Sequence, residues 1–209
     1  DDDKCRCGKP GTMKHILSNC HLALNRYTWR HNEVLKVLIK MAEEQVEEGK
    51  YAPRPQDQGL HKKDFVRQGD KVPTKKQSGS KGGQSCDDWE VATDLEGCKK
   101  FFPIPTPKRP DLVIWNQREC EVHLVELTVP YEDNIRAAHE RKEGHYEALV
   151  KGREETGWKA THFPVEVGCR GFISSSLRKW MNVAGLGPKK THATARTLQE
   201  TVEKASHWI

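Results

Sequence analysis

The sequence predicts an α/β domain with a mixed sheet. Leu24, Tyr27, His31, Leu35, Leu38, Ala42 and Val46 recur at spacings of three and four, which draws one amphipathic helix from about 21 to 48. Asp111 to Trp115 and Val122 to Val129 are β-rich segments on either side of the polar Asn116-Gln117, the pattern of a hairpin. A helix, a strand and further helices follow. Strands alternating with helices bury their apolar faces as helices laid on a sheet.

Taken in order, Asp1-Asp2-Asp3-Lys4 looks like the remnant of an enterokinase-cleavable tag, so the natural sequence is expected to begin near Cys5 as a fragment of a longer protein. Residues 5–21 are polar and glycine-rich, with too few large apolar side chains for a core of their own, and need a staple. Between about 49 and 88, Pro, Gly, Ser, Gln and Lys dominate, and Lys75 to Gly83 has no periodicity. A mobile loop is expected near 67–88, taken as a linker rather than a basic arm over phosphates. Pro130 ends the second hairpin strand. Tyr131 to Val150 then carries Ile135, Ala138, Lys142, Tyr146 and Leu149 on one helical face. Val165 to Phe172 is expected as a strand. A helix with Leu177, Trp180 and Met181 starts near Ser174 and closes at Gly185 and Gly187, and a last helix is expected from about Ala193 to Trp208.

At 209 residues, the chain has room for one main core and an appendage. It is 35% hydrophobic and 31% charged, and its net charge of +5 suits a phosphate-rich partner without identifying one. Seven cysteines, an odd number, no signal-like segment and no apolar run near the roughly 20 residues of a membrane span lead to the expectation of an intracellular, non-secreted, reduced protein with no membrane partner.

Two groups of residues carry chemistry. Cys5, Cys7, His15 and Cys20 offer three thiolates and one imidazole within sixteen residues, the donor set of a tetrahedral zinc site. Zinc bonds would replace the core that the segment lacks. One residue separates the first two cysteines, where structural sites have two to four, and His21 is an alternative to His15. Cys86, Cys98, Cys120 and Cys169 are too scattered for a second site.

The second group is Asp111, at the start of the first hairpin strand, and Glu126, in the second. Two carboxylates on neighbouring strands can hold Mg²⁺, which supports phosphodiester hydrolysis. Glu126 interrupts an apolar run and there needs a cation, but alternation also allows it to face solvent with Val122, Leu124 and Thr128. Lys142, on the apolar side of the next helix, is either a functional lysine or a snorkelling one; Arg141 is expected outside. Lys108 and Arg109 are either phosphate contacts or a solvated pair. Arg26 and Arg30 are equally open, His31 fits packing better than DNA contact, and Glu33 is a weak candidate for an acid supplied by the first helix.

The Cys-x-Cys…His…Cys pattern running into Arg26-Tyr27-Thr28-Trp29-Arg30-His31-Asn32, followed by Lys108-Arg109-Pro110-Asp111 and then Glu126-Leu127-Thr128, resembles the C-terminal part of site-specific non-LTR retrotransposon polyproteins of the ribosomal-DNA-inserting type. The resemblance covers nearly the whole chain outside residues 1–4 and Lys75 to Gly83. It implies a CCHC zinc knuckle over 5–21 and, over 22–209, a PD-(D/E)xK restriction-endonuclease-like mixed sheet flanked by helices. It further implies structural Zn²⁺, catalytic Mg²⁺ or Mn²⁺ on Asp111 and Glu126, and DNA contacts from Lys108, Arg109, Arg26 and Arg30. The family signature usually has lysine two residues after the second carboxylate, where this chain has Thr128. The resemblance transfers that role to Lys142 and places Tyr146 at the site. The implied activity is nicking of double-stranded target DNA in the nucleus, so that the free end primes reverse transcription. The implied partners are the reverse transcriptase region upstream and the element RNA. A non-catalytic zinc-containing nucleic-acid-binding module is the alternative, and a resolvase or repair nuclease of the same fold is a third reading, against which the zinc pattern counts.

Overall fold

The computed structural model describes residues 4–51, 89–93, 95, 109–154 and 157–209; the expected loop, Lys108, Cys86, Cys98 and the side chain of Leu149 lie outside the described residues. The first expected helix is α1, Leu24–Glu47. Its buried line runs through Arg30, Val34, Leu38, Met41 and Gln45 with Leu35 and Ala42, whereas Leu24, expected to lead the stripe, is 60% exposed. The first turns of α1 lie beside the Cys/His segment instead of over the sheet, so the apolar stripe begins only at Val34.

Strand β1 (Trp89–Thr93) pairs antiparallel with β2 (Leu112–Asn116), and β2 pairs antiparallel with β3 (Glu121–Thr128). The β2–β3 turn is fixed by Asn116, whose Oδ1 accepts from the backbone N–H groups of Arg118 and Glu119, each at 3.0 Å. Helix α2 (Ile135–Glu154) then carries the chain to β4 (Lys159–Glu166), parallel to β3, and the sheet order is β1-β2-β3-β4. The last strand was expected at Val165 to Phe172, but that apolar run folds back on itself. Val167 bridges Ile173, Gly168 N–H donates to the Phe172 carbonyl at 2.7 Å, and Gly171 has φ +99°. β4 is thus the more polar stretch before it. As an edge strand, β4 tolerates Pro164, which lacks a ladder N–H.

Helix α3 (Ser175–Val183) is capped by Ser174, whose Oγ accepts from Leu177 N–H at 3.1 Å. Helix α4 (Pro188–His207) starts five residues before the expected Ala193 because Pro188 occupies its first turn. Both faces of the sheet are covered. Leu112, Ile114, Val125, Leu127 and Val165 pack with Leu38, Trp180 and Leu198 in the main core. Val113, Trp115, Val122, Leu124 and Ala160 face the other way, with Tyr146 of α2. With both faces covered, β2 and β3 are buried at nearly every position. No helix among the described residues is long and apolar enough to cross a membrane.

Candidate functional site

The N-terminal segment folds around its donors. Cys5 N–H donates to the Lys9 carbonyl at 2.9 Å and Gly8 N–H to the Cys5 carbonyl at 2.8 Å, a tight turn with Gly8 at φ +83°. This turn lets two cysteines one residue apart face the same point. A short, wide helical turn, His15–Asn19, brings up His15, and Cys20 follows. The donor atoms of Cys5, Cys7, His15 and Cys20 all lie within 4.8 Å of one another, with Cys7 Sγ 3.0 Å from His15 Nε2 and Cys5 Sγ 3.6 Å from Cys20 Sγ. A tetrahedron with Zn–S arms of about 2.3 Å has S···S edges of about 3.8 Å. The cluster can therefore hold a metal ion, and its donor chemistry fits structural zinc. His15 is buried and His21 exposed, so His15 completes the set. The Cys7 backbone N–H, and after it the His15 ring, hold the Cys5 thiol down to about 6, toward the thiolate that a metal binds.

The segment is anchored to the rest of the chain. Tyr27 of α1 donates its hydroxyl to the Ile16 carbonyl at 2.6 Å and accepts from Cys20 N–H at 3.0 Å. Arg30, expected among the DNA contacts, is 2% exposed. It donates to the carbonyls of Leu17 at 2.9 Å and Val129 at 3.3 Å and to the Ser206 hydroxyl at 3.1 Å. Its guanidinium ties the Cys/His segment to the end of β3 and to α4, which corrects the expectation of phosphate contact.

The two carboxylates stand at neighbouring positions where β2 begins and β3 ends. Leu112 pairs with Val125, so continuing the ladder one step sets Asp111 opposite Glu126. Thr93 holds the Asp111 carbonyl at 2.9 Å, and Leu127 N–H donates to Asp111 Oδ2 at 2.8 Å. Glu126 is 6% exposed, beneath α2, which rules out the solvent-facing reading. Its Oε1 accepts from Lys142 Nζ and its Oε2 from the Tyr146 hydroxyl at 2.9 Å. Lys142 thus supplies the cation that a buried carboxylate requires. Burial, with the Glu126 charge adding to it, pushes the Tyr146 phenol well up and keeps it a donor. Arg141 is exposed, as expected.

One residue at this site was assigned only a packing role in the sequence. His31 Nε2 lies 3.4 Å from Asp111 Oδ2 and 3.2 Å from the Leu127 carbonyl. Burial alone would lower its pKa, but the Asp111 carboxylate outweighs this and the net shift is upward. The position of His31 on the α1 stripe signalled contact with the sheet, not with Asp111. Glu33 instead pairs with Lys36 at 2.6 Å. Arg26 is exposed and donates to the Ile209 carbonyl at 3.0 Å, and Arg109 is exposed beside Pro110. The Thr128 hydroxyl, at the position where the resemblance expects lysine, is buried without a hydrogen-bond partner among the described residues. No family model matches the chain, and no curated protein sequence matches it.

Proposed function

We propose that the chain is a metal-dependent DNA endonuclease of the PD-(D/E)xK type, the nicking and zinc-bearing end of a non-LTR retrotransposon polyprotein. The observation that carries this reading is the β2–β3 register, which sets Asp111, just before β2, opposite Glu126, together with the bond from Lys142 of α2 to Glu126. The order helix, three antiparallel strands, helix and parallel strand supports it, because it brings the end of β3 and the middle of α2 together.

Asp111 and Glu126 fit Mg²⁺ or Mn²⁺: they are hard oxygen donors, and Mg²⁺ takes one or two carboxylates and keeps its waters. When bound, the ion polarises the phosphate and lowers the pKa of the attacking water. Lys142 offsets the buried negative charge and offers a cation to the phosphate. Tyr146 fixes the Glu126 carboxylate, and Leu127 N–H fixes that of Asp111. Arg26 and Arg109, on the surface, suit contacts to double-stranded target DNA. The nucleus is the place of action under this reading, with the reverse transcriptase region and element RNA as partners.

Plasmid nicking is the test. Wild-type protein should convert supercoiled to open-circular DNA in Mg²⁺ or Mn²⁺ and not in EDTA. DNA binding without metal-dependent nicking would replace the endonuclease with the non-catalytic binding module.

A further inference from the structure

The sheet face that carries Glu126, beside Asp111, holds a third, deeper acid. The ladder pairs Thr128 with Glu166, two residues beyond the Glu126–Pro164 pair, so Glu166 stands on the same face at the same end of the sheet. It is 1% exposed. Its Oε2 accepts from the Ser176 hydroxyl, and Ser176 Oγ lies 2.7 Å from Ser174 Oγ at the cap of α3. Its Oε1 lies 2.8 Å from Nδ1 of His139. His139 is on α2, one turn before Lys142, which separates their Cβ atoms by about 5–6 Å. The His139 side chain is half-buried, with Nε2 on its outer side, 3.5 Å from Oε1 of the exposed Glu143.

A buried carboxylate needs partners, and serines alone could supply them. A carboxylate on Nδ1 does something more: it fixes the tautomer and aims Nε2, which is how a histidine is prepared to carry protons. Here the histidine itself stands one helical turn from Lys142, with Nε2 beside the Glu143 carboxylate. Resting on the endonuclease reading above, we propose that His139, positioned by Glu166, donates the proton to the leaving oxygen when the phosphodiester is cut. The water oxygen bonds to phosphorus and sheds one proton to solvent. The P–O3′ bond breaks with its electron pair on O3′, and Nε2–H of the protonated His139 gives its proton to that oxygen. The products are a 5′-phosphate and a 3′-hydroxyl, the end that a polymerase extends. His139 then takes a proton back from solvent. Glu166 is a positioning residue in this scheme.

The test uses a leaving atom that needs no proton. The nick made by the wild-type chain on a plasmid in Mg²⁺ is mapped. Duplex oligonucleotides of that site are then made with oxygen or with sulfur at the bridging 3′ position. A thiol has a pKa near 8.5 and leaves as thiolate. Relative to wild type on each substrate, His139→Gln should slow cleavage about 10²–10⁴-fold with oxygen and less than about threefold with sulfur. Glu166→Gln should show the same oxygen-selective loss at about tenfold, and serves if His139→Gln melts early. DNA affinity in Ca²⁺, read by anisotropy, should not change. Equal slowing on both substrates, or none on either, overturns the proposal. A wild-type chain that does not nick overturns the endonuclease reading and this one with it, whereas an active wild type beside an equally active His139→Gln overturns this one alone.

Discussion

The Cys/His segment gathers Cys5, Cys7, His15 and Cys20 from sixteen consecutive residues, whereas the carboxylate site draws Asp111, Glu126 and Lys142 from positions far apart in sequence that the sheet and α2 bring near one another. The first offers soft donors that close a tetrahedron and leave no open position, which makes it a staple. The second offers two carboxylates with hard oxygens, each carboxylate already held by a protein donor. The two sites differ in kind: one is gathered by local sequence, the other is assembled by the fold. They should therefore fail separately.

Removing the metal from the first site should have the largest effect. Protein purified without chelator should carry one zinc per chain by elemental analysis, and Cys20→Ser or a strong chelator should remove it. The segment then loses bonds worth roughly 10 kcal/mol or more. Because Leu17 is buried and Arg30 and Tyr27 grip the segment, the loss should also lower the melting temperature of the rest. A zinc-free preparation with an unchanged melt would remove the staple. Asp111→Ala should do the opposite, cutting nicking more than about 10³-fold while leaving melting and DNA affinity nearly intact, since affinity comes mainly from phosphate contacts. Full activity in that variant would remove the nuclease.

Legibility in the sequence follows the same division. The Cys5, Cys7, His15 and Cys20 cluster was readable because its four donors lie within sixteen residues. Asp111 and Glu126 were readable as charges intruding at the ends of apolar strands, and Lys142 as a charge on an apolar helix stripe. Arg30 was not, because nothing in a helical pattern announces that a guanidinium will serve three elements distant in sequence. Glu166 was missed for a different reason. The run from Val165 to Phe172 looked like the strand itself, when its glycines turn the chain and Glu166 is the last residue of β4. β1 escaped because five residues offer too little alternation to separate a strand from its surroundings.

Lys142 tests whether the second site separates metal binding from rate. Lys142→Ala should still bind Mn²⁺ by titration, yet nick about 10²–10⁴-fold more slowly. Lys142→Arg should restore part of the rate if the cation alone matters and none if a proton must be lost, since Arg stays charged. Unchanged nicking in Lys142→Ala would leave the lysine as a counter-ion to Glu126 alone. Arg30 tests the join between the two sites. Arg30→Ala leaves the Leu17 and Val129 carbonyls without their buried donor and should cost about 2–4 kcal/mol of stability, measured by urea unfolding. A cost below about 0.5 kcal/mol would mean that the segment holds on by other means.

The smallest expected effect comes from the exposed counterpart of Arg30. Lys14, inside the Cys/His segment, reaches Asp133 at 3.3 Å and lies 5.7 Å from the centre of the Tyr131 ring, so it too spans from the segment to the chain after β3. The topological link is similar, but both partners face water, where the attraction is screened and each long side chain loses freedom on pairing. Lys14→Ala should cost about 0.2–1 kcal/mol, and the difference from wild type should shrink further in 1 M salt, where screening acts within about 3 Å. Zinc content should stay unchanged. The pair of variants then measures what burial contributes: two cations bridging the same two regions, one worth several times the other because only one leaves unpaired carbonyls behind. If Lys14→Ala costs as much as Arg30→Ala, or if its cost persists at high salt, the segment is anchored by charge at its surface rather than by Arg30 within.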